Sequence, residues 1–252
     1  MDGEFTENVF DCICDYLVDE AVRDHERLRL VVTTVIDLFK LSLSTQDKEK
    51  AFSQQERLLK LLSYCLSPPL CKISKSLKEL GLFFINEGGL KYLFIPLLSP
   101  FFLGSELVDG DLDTGDEDGS IQEYFFCILF SLLTNLSDDA TCVRRITSKI
   151  TENSFVKLRR IFEIREYNRN LLQEKMAKLQ YEDPTIDASL LDQGSFVLQL
   201  IDCSLLLLIS HNDHDSTHSE EPPSKQPRHT NVILEAVALL MQEGSHQVGV
   251  DL

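Results

Sequence analysis

The sequence predicts an all-α chain built as a solenoid of irregular helical repeats. Three observations carry this. Apolar residues recur at helical spacing nearly throughout, no stretch of strand length alternates convincingly, and long apolar helices return in similar form along the 252 residues. With 43% hydrophobic and 26% charged residues, the chain has the composition of a folded protein and not of a disordered one. Only 11 Gly and 8 Pro are present, few turn formers, as a mostly helical chain requires.

The elements follow in order. Phe5, Val9, Ile13, Tyr16 and Leu17 form a first apolar stripe, and Leu28, Val31, Val32, Val35, Leu38 and Phe39 a second. Phe52, Leu58, Leu59, Leu62 and Leu66 form a third, stopped by Ser67-Pro68-Pro69, whose prolines suit the first turn of the next helix. That helix runs to about Ile85 and breaks at Gly88-Gly89. Leu90, Leu93, Leu97 and Leu98 then share a short helix. After an acidic insertion, Phe125, Ile128, Leu129, Leu132, Leu133 and Leu136 line one broad face of a long helix. The order of helix, Gly-Gly, short helix, link and long helix resembles an armadillo repeat, in which the glycines allow a sharp turn and the long third helix lines a groove.

Long apolar helices end near Leu17, Leu66, Leu136 and Ile209, at separations of 49, 70 and 73 residues. Without the insertions these spacings approach a repeat of about 40–47 residues. The expected organisation is armadillo-like repeats over 1–181, with the acidic insertion at 104–119, and a C-terminal helical region over 182–252 with a polar linker at 211–230. A final helix is expected from Asn231 to Gln242, begun by an Asn cap.

Catalytic and metal motifs are missing from the pattern. Asp109, Asp111 and Asp113 start like a calcium loop, but Thr114 and Ser120 stand where its Gly and Glu are required. His211, His214 and His218 read first as an exposed polar linker and only distantly second as metal ligands. No nucleophile elbow, zinc-protease helix, phosphate loop or dinucleotide glycine pattern occurs, so neither an enzymatic role nor a cofactor or metal is expected. The seven cysteines form no Cys-x-x-Cys pair and are expected to be reduced core thiols. The N-terminus lacks the pattern of a signal peptide, which points to the cytosol or nucleus, and no membrane partner is expected.

Charge is the most informative functional signal. The chain carries a formal charge of -17, which argues against a surface that grips nucleic acid throughout. Within it, residues 144–178 have a balance of +6, including Arg144, Arg145, Lys149, Lys157, Arg159 and Arg160. That segment is a candidate for an acidic peptide or an RNA backbone, against the commoner alternative of intramolecular pairing. Residues 1–26 hold nine acids and one Arg, and Asp11, Asp15 and Asp19 repeat at helical spacing as a candidate strip for basic peptides.

The stretches FFINEGGLKYLFIPLLSP, CILFSLLTNLS, RRITSKITENSFVKLRRIFEI and LLDQGSFVLQLIDCSLLLLIS, with ENVFDCICDYL before them, resemble one armadillo-type family in a single consistent order. That family is the beta-catenin-like proteins of the spliceosome. The resemblance implies a non-enzymatic nuclear scaffold in pre-mRNA splicing, associated with the Prp-nineteen and cell-division-cycle-five-like complex. It also implies a right-handed armadillo superhelix whose surface binds basic segments of splicing factors, while the acidic balance leaves direct nucleic-acid contact unexpected. It further implies that the chain corresponds to the C-terminal part of a family member. Because each repeat buries its apolar face only against neighbours, the stripe beginning at Phe5 should be partly uncovered. Homo-oligomerisation through the N-terminal helix is one way to cover it.

Overall fold

The computed structural model describes residues 3–18, 25–67, 75–103, 120–182 and 189–214. Eight α-helices appear there: α1 (Gly3–Val18), α2 (His25–Ser42), α3 (Lys48–Leu66), α4 (Lys75–Asn86), α5 (Gly89–Leu97), α6 (Ser120–Asn135), α7 (Ala140–Glu182) and α8 (Ser189–His214). A 3-10 turn, Pro100–Leu103, follows α5. Among the described residues there is no strand, and no helix is long and apolar enough to cross a membrane. The acidic insertion at 104–119 and the expected final helix Asn231–Gln242 lie outside the described residues. The expected linker starts later than its sequence suggests, since α8 runs on through His214.

Local chemistry sets the helix ends. Asp47 caps α3, its carboxylate accepting from the Lys50 amide at 3.0 Å, and Asp139 accepts likewise from the Cys142 amide at the start of α7. The turn between α4 and α5 needs both glycines. Gly88 has φ +79°, a left-handed conformation that a side chain resists. A Cβ on Gly89 would lie 2.1 Å from the Phe84 ring, so only hydrogen lets the chain turn this closely.

The helices stack as two ladders. The long helices α1, α3, α6 and α8 pack successively, each against the next. On the other layer α2 packs against α4 and α5, and α5 against α7. Rungs join the layers where α2 meets α3, α4 meets α6 and α7 meets α8. Helices α4, α5 and α6 thus make one complete three-helix repeat, and the whole is an armadillo-like solenoid. Its core is continuous. Phe125 sits at the centre, its ring edge-on to Phe94, Phe102 and Phe126 at centroid separations of 5.6, 5.6 and 4.9 Å.

The stripes read from the sequence are mostly buried, with one rotation. Leu28, Val32, Val35 and Phe39 of α2, and every apolar residue named on the face of α6, are buried. On α1, however, Cys14 and Leu17 are buried and Phe10 packs beside them, while Val9, Ile13 and Tyr16 are exposed. Helix α1 turns the face of Phe10, Cys14 and Leu17 to α3, so of the predicted stripe Leu17 is on the core side while Val9, Ile13 and Tyr16 are not. Leu38 and Leu98 are likewise exposed. The reading of the cysteines as core thiols needs correcting too: Cys14, Cys65 and Cys142 are buried and Cys127 is half-buried, but Cys12 and Cys203 are exposed.

Helix α7 has a feature the periodicity does not announce. Glu152 is extended, with ψ 158°, and Asn153, Ser154 and Phe155 follow with φ of 56°, 57° and 63°. Three consecutive non-glycine residues in the left-handed region divide α7 into arms 140–151 and 156–182. Such a conformation costs roughly 1–2 kcal/mol per residue. The surroundings offset it. Phe155 packs against the core, and the Glu152 carboxylate accepts from Lys149 and Lys157 on either side of the break.

Candidate functional site

Two sets of charged residues were singled out by the sequence, and the fold treats them differently. In the basic set, Arg145 donates to the Ile85 carbonyl and to Asn86 Oδ1, both at 2.8 Å, and so closes the C-terminal end of α4. Arg160 does the same for α5, donating to the Leu97 and Ser99 carbonyls and pairing with Glu163. Lys149 and Lys157 converge on Glu152. Lys157 is only 5% exposed, and its ammonium lies 5.8 Å from the centre of the Phe94 ring. Arg144 and Arg159 are exposed.

Further along the same arm, Arg165 meets Asp202 of α8 through two hydrogen bonds, at 2.6 and 3.3 Å, and also reaches Glu166. Arg169 pairs with Glu166 as well. Asn168, buried, donates to Gln122 of α6, whose own amide donates to the Phe102 carbonyl. The two arms of α7 are therefore stitched to the rest of the fold by their polar groups, the first to α4 and the second to α5, α6 and α8.

The acidic set behaves otherwise. Asp11 is exposed on α1 and accepts from Lys60 of α3 at 2.6 Å. Asp15 also lies on α1, and Asp19 lies outside the described residues, so the strip is represented by Asp11. What Asp11 does meet is a polar track across the long-helix ladder that sequence reasoning missed. On α3, Glu56, Lys60 and Tyr64 follow one another at four-residue spacing. On α6 stand Glu123, Tyr124 and Cys127. These side chains are only partly buried, beside the buried Leu59 and Cys65 of α3 and Phe125 and Ile128 of α6. Tyr124 lies within electrostatic reach of Lys60, Tyr64, Glu123 and Glu56, and Cys127 within reach of Glu123.

The physical character of the track is that of half-dry acids beside aromatic rings. Burial pushes the Glu123 carboxyl above its ordinary value and the Tyr124 hydroxyl up to about 12. Burial first, and Glu123 second, push the Cys127 thiol up to about 12, which leaves it an inert thiol and no nucleophile. The hydrogen bond to Asp11 raises the Lys60 ammonium further than its partial burial lowers it. A short hydroxyl chain continues the track: Ser131 donates to Ser67, which donates to the Cys127 carbonyl. Such a surface offers carboxylates and aromatic faces to a Lys or Arg side chain. The sequence signal that could have found it is the four-residue recurrence of polar residues inside otherwise apolar third helices.

Among the described residues, no group of three or more His, Cys, Asp or Glu could hold a metal ion. His211 and His214 end α8, while His218, and the carboxylates Asp109, Asp111 and Asp113, lie outside the described residues.

Comparison with known proteins adds the family. Residues 1–237 match the model of the family described as catenin-beta-like, Arm-motif containing and nuclear. The beta-catenin-like protein 1 homolog of Schizosaccharomyces pombe is 30% identical over 172 residues, 68% of this chain and 25% of that protein. The chain thus spans about a quarter of the length of the curated relative it matches. No solved structure matches it. Helical order, the two-ladder packing and the family match agree, and the chain belongs to the catenin-beta-like, Arm-motif-containing nuclear family.

Proposed function

We propose that the chain is a non-catalytic nuclear scaffold of pre-mRNA splicing that binds basic segments of splicing-factor proteins along the track on α1, α3 and α6. The Prp-nineteen-associated complex is the expected setting. The observation that carries the reading is the set of carboxylates Asp11, Glu56 and Glu123 interleaved with Tyr64 and Tyr124 on the long-helix ladder. An incoming Lys or Arg would displace Lys60 from Asp11, at little cost, because a surface ion pair contributes only about 0–1 kcal/mol. At Glu123 it would meet a carboxylate that burial has already disfavoured, so pairing there gains more than it would in open water.

The test is affinity purification of the tagged chain from nuclear and cytoplasmic extracts, with a Glu56→Lys/Glu123→Lys double variant alongside. Spliceosomal proteins should be recovered with the parent and lost with the variant. Recovery of trafficking or cytoskeletal proteins in their place would make the chain a generic armadillo adaptor. Recovery of the same spliceosomal proteins by both forms would move the binding surface away from α3 and α6.

A further inference from the structure

A second surface lies on the other ladder, where α5 ends beside the second arm of α7. Leu98 closes α5 but does not join the core, and it is 48% exposed. Across from it Val156, the first residue after the left-handed turn, is 46% exposed. With Pro100 they form the apolar wall of an open cleft of about 330 Å³, whose remaining lining is Arg159, Arg160 and Glu163. Arg160 and Glu163 are held together, and Arg160 also closes the end of α5, so these two build the cleft. Arg159 is different. It is exposed on the rim and its charge is not matched by the Arg160–Glu163 pair.

We propose that this cleft docks a short acidic segment of a partner protein, with one large apolar side chain between Leu98 and Val156 and an adjacent carboxylate on Arg159. Charge complementarity selects the occupant. The chain as a whole carries -17, so its field turns acidic segments away except near residues 144–178, where the balance is +6. Apolar burial supplies affinity and the guanidinium supplies orientation, because Arg engages a carboxylate through two parallel hydrogen bonds. RNA is disfavoured as the occupant. A phosphate backbone requires several available cations, whereas Arg145, Lys149, Lys157, Arg160 and Arg165 of this segment are engaged by protein groups. The site is independent of the track on α1, α3 and α6, shares no residue with it, and takes ligands of the opposite charge.

The experiment uses the full chain and a fluorescein-labelled synthetic peptide of Asp, Glu and Ser with one central Leu, followed by anisotropy. Saturable binding is expected, weakened about tenfold or more by Arg159→Glu and by Val156→Asp, with helicity by circular dichroism unchanged. Arg159→Lys should restore part of the affinity. A peptide with Ala for the Leu should bind much more weakly, and methyl resonances of Leu98 and Val156 should shift on titration with the Leu peptide. Equal binding by the Arg159→Glu variant, equal binding of the Leu and Ala peptides, or no binding at millimolar peptide would each overturn the proposal. So would tight binding of a single-stranded RNA oligonucleotide that is lost in Arg159→Glu. The Glu56→Lys/Glu123→Lys variant should bind this peptide as the parent does, which separates a failure here from a failure of the basic-peptide site.

Discussion

The central helix α6 and the basic helix α7 are neighbours in sequence and opposites in construction. Helix α6 is largely apolar and buried, and its Gln122, Ser131 and Asn135 are buried with it, yet Glu123 and Tyr124 remain partly exposed on the ladder. Helix α7 is dense in charge, yet several of its described cations are directed inward or sideways: Arg145 to α4, Arg160 to α5, Arg165 to α8, and Lys149 with Lys157 to the break at Glu152. A charge run that looks like a binding face is thus largely scaffolding, while a nearly neutral helix supplies the better candidate surface. Abundance of charge measures the need to satisfy backbone carbonyls and carboxylates as much as it measures an appetite for partners.

The largest effect is expected in the apolar core of α6. Phe125→Ala removes the ring that three other phenylalanines surround, and should destabilise the chain by about 3–5 kcal/mol in urea denaturation. A cost below about 1 kcal/mol would mean that α6 is not the centre of the core.

Next comes the charged helix. Arg165→Met removes the paired hydrogen bonds to Asp202, whose carboxylate is partly solvated, so a loss of about 1 kcal/mol is expected. Chemical denaturation should register it, while binding of basic and acidic peptides stays unchanged. A change in binding at constant stability would instead make Arg165 a contact residue and undo the contrast between the two helices.

At the break, Ser154 is exposed and held at φ 57°. Replacing it with Gly removes the clash of its Cβ, so Ser154→Gly should stabilise the fold by up to about 1 kcal/mol despite glycine's greater freedom when unfolded. A decrease in stability on thermal unfolding would mean that the Ser side chain itself is used.

The smallest effect is electrostatic. Hydrogen bonds from Lys149 and then Lys157 hold the Glu152 carboxyl below its ordinary value of 4.5. A carboxyl depressed in the folded state contributes stability that is present in full above the unfolded value and lost as pH falls through the folded one. Parent and Glu152→Gln should therefore differ above about pH 5 and converge on acidification. Parallel stability curves down to pH 2 would show that the lysines do not clamp this residue.

Much of the architecture was legible in advance. The apolar face of α6, the Gly88-Gly89 break and the recurrence of long helices are local properties, written in spacing and in the steric freedom of glycine. The rotation of α1 was not legible. Val9 and Ile13 have the same helical spacing as Phe10, Cys14 and Leu17, so only the direction of α3 decides which set is buried. The break in α7 was hidden for a related reason, since Glu152-Asn153-Ser154-Phe155 contains neither Gly nor Pro. Its left-handed turn is imposed by seating Phe155 and Lys157 against the core.

The candidate surfaces divide along the same line. Asp11 and the basic residues could be named from charge and spacing, but whether a charge faces a partner or a carbonyl depends on which helix end lies beside it. Glu56, Tyr64, Glu123 and Tyr124 become one surface only when α3 and α6 stack. By itself, then, the sequence determined the helices, the repeat and the family, because helix formation and apolar patterning act over a few residues along the chain. Tertiary structure alone decided which charges are engaged and which polar side chains share a face, because electrostatic and packing energies depend on distances between residues far apart in sequence.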